Sequence, residues 1–446
     1  MAAGIESLLP DRSTILVGLS GGVDSVVLLH LLCQLAPRHD WQLSALHVHH
    51  GISPNADTWA EFCSRLCDSL NILLIINRVD ITPLRTHGLE AAARQLRHAA
   101  FAAQSADFVA LAHHADDQAE TLLLQLLRGA GVKGASAMPV LSLSKRPVLQ
   151  SRFIRPLLRS SRQEILDYAA RHQLQWIEDE SNQDESYPRN FLRHAVMPRL
   201  AERFPAYRQT LARSTQHFAD ASELLDDLAR LDATNLLPRP EGERGQIHAE
   251  TLAVSRLQSL SPPRARNLLR YFLDQQNAPM PQGVQLADML RQLCEASEDA
   301  AVCVVFAAGA WQVRRYRGRV YVLPSLAECE RNFVLPWQGE AVLAWPALQG
   351  QLIFLPSVGQ GISLAKLQQA PVTLRLRQGG EALRPHVNMA TRTLKNLLQE
   401  HHVPPWQRDR LPLLFCGEQL VCVPGVAIAA DYQAAAGEEA ITVCNS

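Results

Sequence analysis

A doubly wound α/β domain built on a parallel sheet, then a mainly helical middle domain and a small mixed α/β C-terminal domain, is the architecture that this 446-residue sequence predicts. Three observations carry it. Apolar runs of strand length alternate with amphipathic stretches of helix length from Ile15 until about Phe218, the pattern of βαβ units. The alternation then gives way to helical stretches, Leu224 to Leu236 and Arg264 to Gln275, separated by Pro238, Pro240, Pro262 and Pro263. The final segment is β-rich with one clear helix, Arg392 to Glu400. These shifts predict domains 1–217, 218–324 and 325–446, and a chain this long exceeds what one core ordinarily serves.

The first unit carries the most specific signal. A buried strand, Ile15 to Leu19, runs into Ser20-Gly21-Gly22-Val23-Asp24-Ser25 and then an apolar helix from Val26. Adjacent glycines let the backbone approach an anion without a Cβ in the way, and a helix start aims free N–H groups at the same spot. Ser20 and Ser25 add hydroxyl donors, and Asp24 is placed to hold a magnesium ion that bridges phosphates. A Walker loop requires a lysine that is absent here, and a dinucleotide fingerprint requires spaced glycines. The loop resembles the pyrophosphate loop of the ATP pyrophosphatases, which makes the sheet domain a nucleotide-binding one. The bland alternative is a Gly-Gly turn with an Asp cap.

Strand and helix continue in order. Leu43 to Val48 forms a strand ending in His47-Val48-His49-His50, with His47 and His49 on one face and no acidic residue close in sequence to complete a metal site. Helix Asp57 to Leu70, strand Leu73 to Val79 and helix Leu89 to Ala103 follow, the last with Glu90, Arg94 and Arg97 on one face. That face reads as a solvated ion-pair surface or as Arg94 reaching ATP or substrate. A fourth strand, Phe108 to Ala112, delivers His113-His114-Ala115-Asp116-Asp117-Gln118-Ala119-Glu120 at its carboxyl end, where open parallel sheets bind ligands. Asp116 and Asp117 there suit magnesium binding or proton transfer, and otherwise merely favour the start of the next helix. Arg128-Gly129-Ala130-Gly131 reads as a substrate-facing turn.

Composition narrows the class. A net charge of −1 argues neither for nor against nucleic acid, but the basic residues cluster. Lys145, Arg146, Arg152, Arg155, Arg159, Arg162 and Arg171 fall in one stretch, and Arg375, Arg377, Arg384, Arg392, Lys395, Arg408 and Arg410 in another, both readable as phosphate-backbone surfaces. No apolar run approaches a membrane span, and the start lacks a secretory signal pattern. Nine scattered cysteines suit a reducing compartment, so a cytoplasmic protein without membrane contact is expected. Cys63 and Cys67, one helical turn apart, read as core residues.

Taken together, Ser20 to Ser25, His47 to Ile52, Gly88 to Arg94, His113 to Thr121, Ile154 to Leu158, Trp176 to Asn182 and the late Val403-Pro404-Pro405-Trp406-Gln407-Arg408-Asp409 resemble the tRNA(Ile)-lysidine synthetase family. The resemblance runs along essentially the whole chain, loosest from about 220 to 370, and Met389 to Lys395 is less basic than the family's usual segment. It implies an enzyme that joins L-lysine to C2 of the wobble cytidine in isoleucine tRNA with a CAU anticodon, switching decoding from AUG to AUA. ATP first adenylates the C2 oxygen with loss of pyrophosphate; the lysine amine then displaces AMP. The resemblance implies ATP and Mg2+ as cofactors, Ser20, Gly21, Gly22, Val23, Asp24 and Ser25 as the nucleotide cradle, Asp24 and Asp116 at the metal, and Asp24, Asp116, Asp117, Arg94 and His113 in catalysis. Asp117 or Asp116 is assigned to lysine activation. Oligomeric state stays open, a homodimer included.

Rival readings fare worse. A tRNA thiolase of this fold would need a reactive cysteine pair, and a glutamine-dependent synthetase an N-terminal nucleophilic Cys; neither pattern occurs. A non-catalytic RNA-binding module would explain the arginines but not the carboxylates behind the loop.

Overall fold

The computed structural model describes residues 1–51, 53–80, 89–143, 152–234, 251–297, 300, 302–325, 333–346 and 350–445. A short helix α1 (Ala2–Glu6) precedes β1 (Thr14–Gly18), whose Ile15, Leu16 and Val17 are all buried because helices cover both faces of the sheet. Then come α2 (Val23–His39), β2 (Gln42–His49), α3 (Ala56–Ser69), β3 (Leu73–Arg78), α4 (Leu89–Ala102) and β4 (Phe108–Ala110). α5 (Ala115–Leu127), α6 (Val132–Ala135), β5 (Leu141–Leu143), β6 (Arg152–Ile154) and α7 (Arg162–Arg171) complete the alternation. The sheet order is β3-β2-β1-β4-β6-β5, parallel except for β5, which runs antiparallel to β6. Strand order reverses between β1 and β4, so the crevice beyond their carboxyl ends is the topological switch point.

Two cores sandwich the sheet. Val17, Leu19 and Ala110 pack with α2, α3 and α7, while Leu16, Leu46, Val109 and Phe153 pack with Ala100 and Phe101 of α4. This is the two-residue alternation of strands. The expected α/β architecture is present, with shifted limits. The helix expected from Val26 starts at Val23, and the alternation ends with α7 and not near Phe218. After α7 come α8 (Pro188–Phe191), a π turn (Leu192–Val196), α9 (Met197–Arg203) and α10 (Tyr207–Asp232), a 26-residue helix where the sequence reading began one at Leu224.

The chain divides into compact units Met1–Leu225 and Asp226–Ser446. In the second, helices Val254–Ser259, Pro262–Gln275 and Gly283–Glu295 pack with a four-stranded sheet around Leu268, Phe272 and Met289. Two of its strands, Trp311–Tyr316 and Arg319–Pro324, form a hairpin that turns through positive φ at Arg317 and Gly318. A separate cluster around Trp345, Leu374 and Leu414 holds a five-stranded and a four-stranded sheet. The helix expected from Arg392 starts at Leu394, because Thr393 caps it and Arg392–Thr393 pairs with Ala382–Leu383.

Candidate active site

The loop leaving β1 is held by its own hydroxyls. Ser25 donates from Oγ to the Gly22 carbonyl at 2.9 Å, accepts the Ser20 N–H at 3.2 Å, and lies 3.1 Å from Ser20 Oγ. Gly22 is the N-cap of α2 and brings no side chain to the first turn, so that end is left to an anion. Gly21 sits at φ +89°, and a Cβ there would lie 2.9 Å from Ile177 Cδ1. The Ile177 N–H also donates to the Gly21 carbonyl at 3.0 Å, so the Trp176 to Asn182 segment buttresses the loop.

Carboxylates converge on His114, whose ring is 1% exposed. Its Nε2 lies 3.7 Å from Asp24 Oδ1 and 3.5 Å from Asp117 Oδ2, and its Nδ1 lies 3.7 Å from Asp116 Oδ2. The chain builds this by reciprocal capping. The His114 N–H donates to Asp117 Oδ2 at 3.0 Å to start α5, and the Arg162 N–H at the start of α7 donates to Asp116 Oδ2 at 3.0 Å. Asp24 also receives Arg162 Nη1 at 3.1 Å, and Asp116 receives Arg208 Nε from α10. Asp24 and Asp116 thus flank one imidazole, each held by a half-exposed arginine. Their hard oxygens fit magnesium. Among the described residues no three His, Cys, Asp or Glu form a metal cage, and Mg2+ ordinarily takes one or two carboxylates plus substrate phosphates.

Asp117 lies in a different setting. Arg189 donates to Asp117 at 2.9 Å and to Glu120 at 2.8 Å; Arg193 donates to Asp117 at 3.2 Å and to Glu120 at 2.7 Å. Burial works to raise the Asp117 carboxyl, but His114 and Arg189 beside it hold it below the usual range. Two carboxylates and two guanidiniums therefore balance inside the fold. Sequence reading passed over Arg189, Arg193 and Arg208 as site residues. The available signal was spacing: Asp117 and Glu120 are three apart on α5, and Arg189 and Arg193 four apart across the π turn.

Arg94 stands on α4 close enough to His113 and Arg155 to push both toward their uncharged forms. The side chain of Glu90 and the whole of Gly88 and Ile52 lie outside the described residues. Burial, chiefly, brings His113 down to about 3, which makes it too weak a base to accept a proton efficiently at neutral pH. His47 Nδ1 donates to the Leu19 carbonyl at 2.9 Å and lies 3.5 Å from Cys63 Sγ, while His49 meets Asp57 at 3.2 Å. The fold brings this aspartate from the first turn of α3 back to the end of β2. Cys63 and Cys67 are fully buried core residues, with the Cys63 thiol pushed by burial to about 12.

These histidines set a pH dependence. His50 and His98, like His113, are held down by burial, to about 4 each. Unfolding releases them to ordinary values near 6.5, so the unfolded state binds protons first as pH falls. Stability is expected to be intact above pH 6.5 and to drop progressively toward pH 4; urea midpoints across that range measure it. His39, raised by its hydrogen bond to Asp11, opposes the trend at the surface.

The basic stretches need correction. Arg155 is 6% exposed and donates to the Pro139 carbonyl at 2.8 Å, and Arg162 belongs to the carboxylate group, so neither is part of a free phosphate-binding face. In the later stretch Arg375 pairs with Glu418, Arg377 with Glu381 and Asp409, Arg384 with Asp431 and Arg392 with Glu400. Arg408 is spent on the Val403 carbonyl and the Tyr316 hydroxyl. Arg159 and Lys395 are exposed. Among the described residues no helix is long and apolar enough to cross a membrane.

Comparison with known proteins agrees with this geometry. The PP-loop domain family matches residues 3–200, the TilS substrate binding domain 252–321 and the TilS substrate C-terminal domain 372–444. The chain is 46% identical to tRNA(Ile)-lysidine synthase of Nitrosomonas europaea, covering 97% of this chain and 91% of that one. It is 37% identical to the enzyme of that name from Coxiella burnetii, over 97% and 92%. Against that of Aromatoleum aromaticum it is 39% identical over 97% of each chain. With a PP-loop at the switch point of its sheet and such relatives along its length, the chain belongs to the tRNA(Ile)-lysidine synthase family and is an ATP-dependent ligase.

Proposed function

We propose that this protein ligates free L-lysine to C2 of the wobble cytidine of isoleucine tRNA with the CAU anticodon, through an adenylated tRNA intermediate, so that the tRNA decodes AUA. The observation that carries the reading is the match, over 97% of the chain, to relatives of that name. The Ser20 to Ser25 cradle and the α2 start hold the phosphates of ATP, and Asp24 and Asp116 are the residues that would hold Mg2+. The metal, when bound, withdraws charge from the departing pyrophosphate. A C2 oxygen is a poor leaving group until adenylated, which is why ATP is required. Asp117 holds the lysine ammonium by its charge and orients the nitrogen toward C2, with Arg94 and His113 on the substrate side. The wobble base lies in a single-stranded loop and reaches the site without opening a duplex. The chain works in the cytoplasm as three modules, 1–217, 218–324 and 325–446, the last two engaging tRNA.

ATP labelled at the α-phosphate tests the reading. AMP should form only when both tRNA and lysine are present, and AMP formation independent of either would overturn it. Exposed cations provide a second check: Arg159→Ala and Lys395→Ala should each weaken tRNA binding and reduce its salt slope by roughly one unit if each contacts a phosphate. Fluorescence titrations between 50 and 200 mM salt, on the order of the range where such slopes are read, report it.

A further inference from the structure

On the α4 face of the sheet, opposite the face covered by α2, three buried polar atoms have no hydrogen-bond partner among the described residues: His50 Nδ1, His113 Nδ1 and Arg155 Nε. Alternation turns all three to one face, His113 and Arg155 beyond the ends of neighbouring strands and His50 two strands from His113. Leu46 and Val48, Val109 and Leu111, and Phe153 all face α4, and the next outward step beyond each carboxyl end is His50, His113 and Arg155. Facing them on α4 stand Arg94, Arg97 and His98, the last with its ring 5.4 Å from that of Phe153. Arg155 is anchored through Nη1 to the Pro139 carbonyl at 2.8 Å and to Ser142 Oγ at 3.4 Å, which leaves Nε, in a side chain 6% exposed, committed to nothing described. Asp117, the carboxylate near His113, is already engaged by Arg189 and Arg193.

An orphaned guanidinium nitrogen and two orphaned imidazole nitrogens on one face of the sheet are costly unless they meet a hydrogen-bond partner. The ATP phosphates have their own cradle in the loop that leaves β1, at the start of α2. We propose that His50, His113 and Arg155 form a second oxyanion subsite, which receives an anionic group of a substrate other than ATP. The inference rests on the ligase reading above, in which two groups of this chemistry arrive: a phosphodiester flanking the splayed wobble nucleotide, and the α-carboxylate of lysine. Each offers oxygens to donors converging from three strand ends. Burial and Arg94 hold Arg155 down to about 10, the condition that an incoming anion relieves.

The test uses the full-length protein with its histidines labelled for NMR, and probes it separately with Mg-ATP, lysine, lysinamide and an anticodon stem-loop RNA. Ring signals of His50 and His98 are expected to shift with lysine or with the RNA, and not with Mg-ATP. A shift with lysine that lysinamide fails to produce identifies the carboxylate; a shift with the RNA alone identifies the phosphodiester. In turnover, His50→Phe should raise KM for that same substrate about tenfold, the loss of one good charge-assisted bond, with KM for ATP unchanged. Arg155→Met should do the same, and where it fails to fold His50→Phe decides. Signals unmoved by lysine and RNA, a shift produced by Mg-ATP, or His50→Phe with both KM values intact would each overturn the subsite. Should AMP formation prove independent of tRNA and lysine, the ligase reading falls, whereas the NMR shifts report the subsite separately.

Discussion

Replacing Ser20 and Asp24 together by Ala abolishes adenylation of the tRNA, by about 10²-fold or more, and leaves tRNA binding nearly unchanged. Ser20 Oγ and Ser25 Oγ hold each other 3.1 Å apart at the mouth of the loop, and Asp24 links that loop to Arg162 and the His114 group. Removing both takes away preorganised charge stabilisation at the leaving pyrophosphate, a loss of several kcal/mol of barrier, typically about 3. On the proposed reading the polyanion is held by exposed cations such as Arg159 and Lys395, so affinity is expected to survive. Pyrophosphate release with labelled ATP and a filter-binding isotherm measure the two quantities. Full adenylation by the double variant would remove the loop from the reaction.

The second large effect separates the paired aspartates. Asp116→Asn is expected to lose pyrophosphate release, because it removes one of two carboxylates placed to hold magnesium, and to leave the fold intact. Its arginine partner, Arg208, is 41% exposed at the side chain and turns to water. Asp117→Asn differs in both respects. It breaks a group whose Glu120 is 2% and whose Asp117 is 12% exposed, leaving two guanidiniums over one carboxylate. Breaking a buried pair by removing one partner costs roughly 3–5 kcal/mol, and the partial exposure of Arg189 and Arg193 reduces that here to the order of 2. The remaining net positive charge repels the lysine ammonium, so adenylated tRNA accumulates while lysidine formation collapses. Rapid-quench kinetics resolves the two steps, and urea melts give the stability difference. If both variants lose the two steps in equal proportion, the pair serves adenylation and lysine activation belongs to Glu120.

The sequence alone determined the sheet, the loop at its switch point and the presence of acidic and basic groups beyond the strand ends. Those properties are local: buried strands read as apolar runs, and a Gly-Gly turn between a strand and a helix has few other uses. Strand limits near Ile15, Leu43, Leu73 and Phe108 were therefore legible to within a residue or two. The fate of each charge was not. Arg155 and Arg159 look alike in sequence, yet one is buried against Pro139 and the other is exposed, because strand alternation turns the first inward where β6 ends. Arg189 and Arg193 lie about seventy residues from Asp117 and Glu120 and meet them only when α8 and the π turn pack against α5. Arg162 finds Asp24 in the same way. Periodicity specifies which face a residue occupies, while the partner across that face is chosen by tertiary packing, through long-range pairings that no local pattern encodes.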